Sequence, residues 1–547
     1  MGEISRTVDG DTRWDGEADV VVVGASVAGF STAVNAAELG ASTILLEAAE
    51  QVGGTGRKAA AWAWIPNNHL MQEKGIPDSH EDAMAYLARF ARPALYQPGH
   101  PTLGLPAWEH ELLEAFVDNG PDAMKTLVDI GALSVMHADD YPNYYSHHEI
   151  DKVPFGRVVI PQLPDGEPGD GIEFTRRMEI AARERGVDIR TGHPVEGVLI
   201  NDAGEVVGVS GAAGGRIRAR RGVVFCTGGF SHNDTLRDQY LSGLLVPGCS
   251  VPTNQGVLVE VSKRLGAPLI HMNAAFMSPI QYEWVLRHDP AIVGLFQTPG
   301  DSMIIVNKYG RRIGNEKTSY NDRTIPHLVF DVERAEYGNL LSFAVWDERT
   351  NTTWAGAPYG FVPAADGERS FVVQGDTLEE LADVLDARLE GLGSANHGIR
   401  LDPGFRAGLA DQIARFNAMA VAGVDEDFRR GDAAIDGFFH GEAIDNPYPN
   451  KTLHPISDDG PYYASIIAPS AIETKGGPRA TPGGEILGAD DEPIPGLYGV
   501  GNCVASATGQ AYLSGGITFG PYITFGLLAA RAVAAAPLKE VRATELA

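Results

Sequence analysis

Cysteine is nearly absent: Cys226, Cys249 and Cys503 are the only three in 547 residues, and no two form a Cys-x-x-Cys pair. That excludes a disulfide framework and a zinc ribbon, and it fits a reducing compartment. Basic residues are also few, 43 Lys and Arg against 72 Asp and Glu, for a net charge of −29. A surface of that sign repels a polyanion, which argues against nucleic acid as a partner; the charge itself reads as a solubility device. No apolar run reaches the length of a membrane span. The N-terminal MGEISRTVDGDTRWDGEADV has neither a basic start nor an apolar core, so no secretory leader is expected. A cytoplasmic protein follows, with membrane contact at most peripheral. No GxSxG elbow and no P-loop lysine motif is present.

Glycine, by contrast, is plentiful. The 65 glycines exceed the usual share of about 7% and sit in short runs such as VGGTG, CTGGF, TKGGP and LSGGITFG. Runs without a repeat read as tight turns against a ligand. The clearest passage runs from Ala18 to Glu47. ADVVVVG is a β-branched run without alternation, as in a strand buried on both faces. A glycine turn, the helical AGFSTAVNAAELG closed by Gly40, and the strand STILLE complete a βαβ unit. Further on, FTRRMEIAARERG predicts a helix, VEGVLINDAGEVVGVSG a hairpin, and RGVVFCTGGF a buried strand ending in glycines. Residues from about 273 to 455 change character, with many aromatics and mixed short elements. The division is therefore 1–272 for the first part of a dinucleotide-binding unit, 273–455 for an inserted domain, and 456–547 for the return of the first unit. A final helix is expected from near Thr518.

A dinucleotide pyrophosphate needs backbone donors and the positive end of a helix, without side-chain bulk. The turn GASVAG supplies Gly24, Ala28 and Gly29, but Ser26 replaces the middle glycine of GxGxxG. Ser26 is expected to be small enough to tolerate the cofactor. Glu47, about 20 residues on, ends the second strand, where a carboxylate accepts hydrogen bonds from a ribose diol and repels a 2′-phosphate. Gly53, Gly54 and Thr55 follow and could wrap the second phosphate. Thr227 and Gly228, after a buried strand, read either as a further approach to the cofactor or as a plain turn.

Gly53-Gly54-Thr55 followed by Trp64-Ile65-Pro66-Asn67-Asn68 resembles the 3-ketosteroid dehydrogenases of the fumarate reductase/succinate dehydrogenase flavoprotein superfamily. Tyr141-Pro142-Asn143-Tyr144, Asn315-Glu316 with Tyr320, Thr474-Lys475-Gly476-Gly477-Pro478 and the C-terminal GLYGVGNCVASATGQAYLSGGITFG extend the resemblance from about Asp19 to Ala530. It implies an α/β chain, α+β overall: a Rossmann-like FAD-binding domain of glutathione-reductase type with an inserted α+β catalytic domain. It implies FAD as cofactor, with Gly501, Asn502 and Gly520 beside it. The link is expected to be non-covalent, because GGTGRKAAAWAW offers no histidine.

The same resemblance implies roles. Fumarate reductases of the superfamily carry an arginine after the Asn-Glu pair; here that position is Tyr320, with Arg323 three residues on. A phenol cannot hold a carboxylate, which favours an uncharged substrate. Tyr512 and the Gly516 N–H would hold a ketone oxygen. Tyr320 would take the α-proton, with Tyr144 hydrogen-bonded to it and Tyr141 and Tyr145 as rivals for that place. Where 3-ketosteroid 1-dehydrogenases read Tyr-Pro-Gly, this chain reads Tyr512-Leu513-Ser514. A serine there is similar to the 4-dehydrogenases of 5α-steroids, so Ser514 leaves the position of desaturation open. His147 and His148 beside Glu149 read as a polar loop and not as a metal site.

The first reading is an FAD dehydrogenase that desaturates the A ring of a 3-ketosteroid at the 1,2-position and passes electrons to a quinone or other acceptor. Desaturation at the 4,5-position or of another cyclic ketone stands beside it. An ene-reductase and a non-catalytic flavin carrier are the other classes.

Overall fold

The computed structural model describes residues 2–6, 13–211, 214–287, 296–358 and 360–539; the leader-free reading of the N-terminus lies partly outside them. The first sheet is built around β1 (Gly16–Val23), whose Val20, Val21 and Val22 are fully buried. Its lack of alternation follows from its place. β1 pairs in parallel with β2 (Thr43–Leu46) on one side, and α1 (Val27–Glu38), between the two strands, packs over them. Beyond β2 lies β3 (Asp188–Arg190), and on the other side of β1 lies β4 (Arg216–Phe225). Val195–Ile200 and Val206–Gly211 form the antiparallel hairpin expected from NDAG, and Glu3–Arg6 closes that edge.

Among the described residues the second sheet has six strands. β5 (Ala275–Gln281) leads to the short helix α2 (Tyr320–Thr324), then to β6 (Ser342–Asp347) and the helix α3 (Ala434–His440). All are organised on β7 (Tyr462–Thr474), which pairs with β5, β6, Val372–Gly375 and Val246–Pro247. The division expected at 455 would give this strand to the dinucleotide unit. In sheet membership it belongs with the inserted strands, and Val246–Pro247 joins it from before residue 273. The physical reason is that an apolar strand buried on both faces reads alike in either sheet. The chain returns to the first sheet as β8 (Pro493–Gly499), parallel to β4, and then forms α4 (Phe519–Ala535). The last helix lies against the first: Ser31 Oγ donates to Ile523 O at 2.8 Å.

A separate aromatic core packs beside β5 of the second sheet. It joins Trp64, Tyr86 and Phe116 to Tyr141, Tyr144, Phe276, Tyr320, Phe439 and Tyr512. Among the described residues no helix is long and apolar enough to cross a membrane.

The irregular fingerprint has a local explanation. Ser26 is the N-cap of α1, its hydroxyl accepting from Gly29 N at 3.3 Å and donating to Cys226 O at 2.8 Å. The side chain thereby folds back onto its own turn. Gly24 has φ +99°, and a Cβ there would meet Cys226 O at 2.5 Å; a Cβ on Gly29 would meet Gly24 O at 1.9 Å. These two glycines are steric necessities and the middle one is not. Ser26→Gly is expected to keep FAD content and to cost only a few tenths of a kcal/mol in apoprotein stability, whereas Ser26→Ala costs about 1 kcal/mol. Denaturant midpoints of the two apoproteins check the difference.

Candidate functional site

One cavity of about 550 Å³ runs from the end of β2 to the aromatic core. Its first stretch is lined by Gly24, Ser26, Ala28, Glu47, Gly54 and Thr55, and its middle by Thr227, Gly228, Gly501 and Asn502. The N-terminus of α1 faces this stretch, with small side chains around it, as an anionic pyrophosphate requires. Glu47 is buried; its Oε2 accepts from Ala25 N and its Oε1 from Ala49 N, each at 2.9 Å. Burial pushes its carboxyl above the ordinary value while those N–H groups pull it down. Each oxygen keeps a lone pair for a diol hydroxyl. The donor set fits FAD.

Gly29, Gly53 and Gly520 are not on the wall. Gly29 packs on Gly24, Gly53 (φ +106°) packs against Thr175 and Arg57, and Gly520 lets α4 approach Trp64 O. Gly476 and Gly477 likewise serve close backbone packing, against Met272 and Cys503.

The far end of the cavity is aromatic. Tyr144, Tyr320 and Tyr512 line it with Phe276, Phe296 and Phe439. The Tyr144 hydroxyl donates to the Tyr320 hydroxyl at 2.8 Å. The Tyr512 ring meets Tyr320 edge-on at 5.0 Å and stacks on Tyr144 at 5.7 Å between centroids. Each phenol is positioned by hydrogen bonds to its backbone or to its neighbours. Ser319 caps α2 by accepting from Asp322 N, which puts Tyr320 in its first turn. Asn143 accepts from Trp64 Nε1 at 2.7 Å, and Tyr144 N donates to Leu513 O at 3.0 Å. The loop that holds Tyr512 is supported by Lys475, whose Nζ donates to Ala511 O at 2.7 Å and lies over the Phe276 ring. Gly516, at φ +91°, lines the wall beside Trp62.

Burial pushes the phenols of Tyr320 and Tyr144 well above the ordinary tyrosine value, and that of Tyr512 upward. For Tyr320 the neighbouring Tyr512 adds to the rise, and the hydrogen bond with Tyr144 opposes it. Tyr145 turns aside to Asp322 Oδ1 at 3.2 Å.

Two sequence candidates point elsewhere. Arg323 is not on the wall: its guanidinium donates to Thr298 Oγ1 at 2.7 Å, Phe296 O at 2.9 Å and Glu316 O at 3.0 Å, and burial lowers it to about 10. Ser514 is fully buried, off the wall, and its Oγ has no hydrogen-bond partner among the described residues. The Asn315-Glu316 pair braces the site from behind: Glu316 binds Arg312 and Arg430, and Asn315 donates to Asp436 of α3 at 2.9 Å.

Several wall residues have no motif in the sequence. Trp62, Phe438, Asn254 and Glu473 come from four separate stretches, and only the fold brings them to one surface. Phe438-Phe439 in AIDGFFH is the nearest thing to a signal, an apolar pair inside a short helix. Glu473, at the end of β7, accepts from Thr474 N at 2.9 Å and from Asn254 Nδ2. Burial pushes its carboxyl up to about 7 from a free value of 4.5. Its neutral form therefore stabilises the fold fully below about pH 4.5, and that contribution is lost as pH rises through about 7. Apoprotein of Glu473→Gln is expected to lack this decline, so that wild type loses up to about 3 kcal/mol relative to the variant across that window. Denaturant midpoints at stepped pH measure it.

Known proteins resemble the chain over nearly its whole length. The chain is 29% identical to 4-oxocyclohexanecarboxylate 2-dehydrogenase of Sinomonas cyclohexanicum, over 94% of this chain and 92% of that protein. It is 29% identical to 3-oxosteroid 1-dehydrogenase of Mycobacterium tuberculosis, over 95% and 98%. The crystal structure of 3-ketosteroid delta1-dehydrogenase from Sterolibacterium denitrificans, in complex with 1,4-androstadiene-3,17-dione, superposes with a TM-score of 0.79 at 25% identity. That match covers 95% of this chain and all of that one. The family model described as FAD binding domain matches residues 19–519, and the chain belongs to that family of FAD-dependent oxidoreductases.

Proposed function

We propose that the protein is an FAD-dependent dehydrogenase that introduces a C=C bond beside a ring ketone. The observation that carries this is the Tyr144–Tyr320 hydroxyl pair on the wall next to Tyr512, with Arg323 turned into the protein. A dicarboxylate calls for a cation at that place; a neutral ring ketone calls for phenols and apolar walls.

In this reading the ketone oxygen accepts hydrogen bonds from the Tyr512 hydroxyl and the Gly516 N–H, which strengthen as enolate charge develops. Tyr320, as phenolate, removes the α-proton, and Tyr144 donates to it throughout. Bound FAD supplies the acceptor for the hydride that leaves the β-carbon, and the electrons pass on to a quinone or other acceptor. Because burial raises the Tyr320 phenol and the phenolate is the working form, activity is expected to rise toward alkaline pH. The activities named for the relatives, on an oxosteroid and on an oxocyclohexanecarboxylate, share a ketone on a six-membered ring.

A 3-ketosteroid oxidised at the 1,2-position is the first substrate reading. Ser514, off the wall, offers no second proton acceptor for a 4,5-position. A single-ring ketone is the second, in keeping with the oxocyclohexane ring in the substrate name of the Sinomonas relative.

Anaerobic titration tests the class directly. Bleaching of the flavin by a 3-ketosteroid or a 4-substituted cyclohexanone is the expected outcome; reoxidation of reduced enzyme by fumarate, with no bleaching by either ketone, would overturn it. Tyr320→Phe is expected to retain FAD and to lose turnover by roughly 10² to 10⁴, and near-normal turnover removes it as the base.

A further inference from the structure

The wall holds two further phenols that the mechanism above does not use, Tyr141 and Tyr522, and the Tyr522 hydroxyl donates to Asn502 Oδ1. Tyr141 is buried, and its hydroxyl donates toward that of Tyr144 at 3.4 Å, which in turn donates to Tyr320 at 2.8 Å. At its other side the same oxygen lies against the ketone loop: a Cβ built on Gly515 would stand 2.8 Å from it. The ring cannot swing away freely. Trp62 meets it edge-on at 4.4 Å and Phe438 edge-on at 4.6 Å between centroids. The oxygen is thus fixed between Gly515, one residue before the predicted ketone donor, and the phenol that touches the predicted base.

Resting on the dehydrogenase reading, we infer that Tyr141 is a positioning residue that stabilises the Tyr320 phenolate through Tyr144 and holds it in register with the ketone loop. The charge balance requires a device of this kind. When Tyr320 loses its proton, one negative charge stands in an aromatic chamber, and the groups that can answer it are few. On its own helix, Arg323 is engaged with Thr298, Phe296 and Glu316, and Asp322 with Tyr145. From α3, Asp436 is engaged with Asn315 and with Gly431 N. From β7 and the strand end, Glu473 is held by Asn254 and Thr474, and Lys475 by Ala511. Lys58 on the wall donates to Cys249 O at 2.6 Å. Tyr512 is committed to the ketone. The line Tyr141–Tyr144–Tyr320 is placed to spread the charge, since each hydroxyl donates to the next as the last becomes anionic. After the α-proton arrives on Tyr320 Oη, the same line returns to its neutral form with no net transfer.

The test is Tyr141→Phe in FAD-loaded enzyme, which keeps the ring and its packing on Trp62 and Phe438 and removes one oxygen. The rising limb of kcat against pH is expected to move up by about one unit, a tenfold loss at fixed pH on that limb, with KM for the ketone changed less than twofold. The rate recovers as pH increases. A packing role alone would lower kcat by one factor at every pH and leave the limb in place. An unmoved limb overturns the proposal even if the rate falls. Tyr144→Phe in the same assay is expected to shift the limb at least as far, and a larger shift from Tyr141 than from Tyr144 also counts against the relay. If wild-type flavin is bleached by no ring ketone, the underlying function is what has failed, and that outcome is separate from an unmoved limb in an active enzyme.

Discussion

The Leu513 carbonyl is the joint on which the aromatic chamber depends. It accepts from Tyr144 N at 3.0 Å and from the Tyr86 hydroxyl at 2.8 Å, and so fastens the loop before α4 to the segment that follows Tyr141. Two hydrogen bonds to one buried acceptor fix a backbone position more firmly than apolar contact does, because both donors would be left unpaired by any slip. That joint fixes the Tyr512 and Tyr144 backbones side by side, and the 5.7 Å stack of their rings follows. Tyr320 arrives from the other sheet, and its place depends on the cap at Ser319 and on Asn321, which accepts from Met277 N of β5 at 3.2 Å. Three independent backbones therefore meet at one set of hydroxyls.

Behind this meeting point the protein places charge where it cannot reach the chamber. Arg312, Glu316, Asp425 and Arg430 form a buried group, with Arg312 bridging Glu316 and Asp425 at 2.8 Å. Burying such a group without partners would be very costly; fully paired, it serves to fix geometry. Here it anchors the turn between the strand Met303–Val306 and α2, while Asn315 ties the same turn to α3. The chamber itself is faced with neutral hydroxyls and rings, an environment suited to a neutral ketone.

Much of the first sheet was legible because local rules and tertiary outcome agreed there. The βαβ unit, the NDAG hairpin and the start of α4 at Thr518 follow from periodicity and turn chemistry. The serine in the fingerprint was legible as an irregularity, but its solution, a cap folded onto Cys226 O, depends on a strand about two hundred residues away. The allocation of β7 was not legible, since burial on both faces looks the same in either sheet. Glu473 and Asn254 escaped for a related reason: each is unremarkable in its own stretch, and their contact exists only once two strands have been placed. Trp62 sits between small residues and reads as one apolar side chain among many, until Tyr141 and Phe438 are found around it.

The packing of α1 on α4 has a consequence for how the molecule is made. Ser31 and Ile523, 492 residues apart, are joined by a hydrogen bond, and a Cβ on Gly526 would collide with Ser31 Oγ. One wall of the nucleotide cradle is therefore supplied by chain that is made 492 residues after Ser31. During synthesis the early βαβ segment has its hydrophobic helix face without its final cover, and closing so long a loop is slow relative to local folding. The cradle therefore stays incomplete until α4 has been made and has packed on α1, and FAD binding waits on that late pairing.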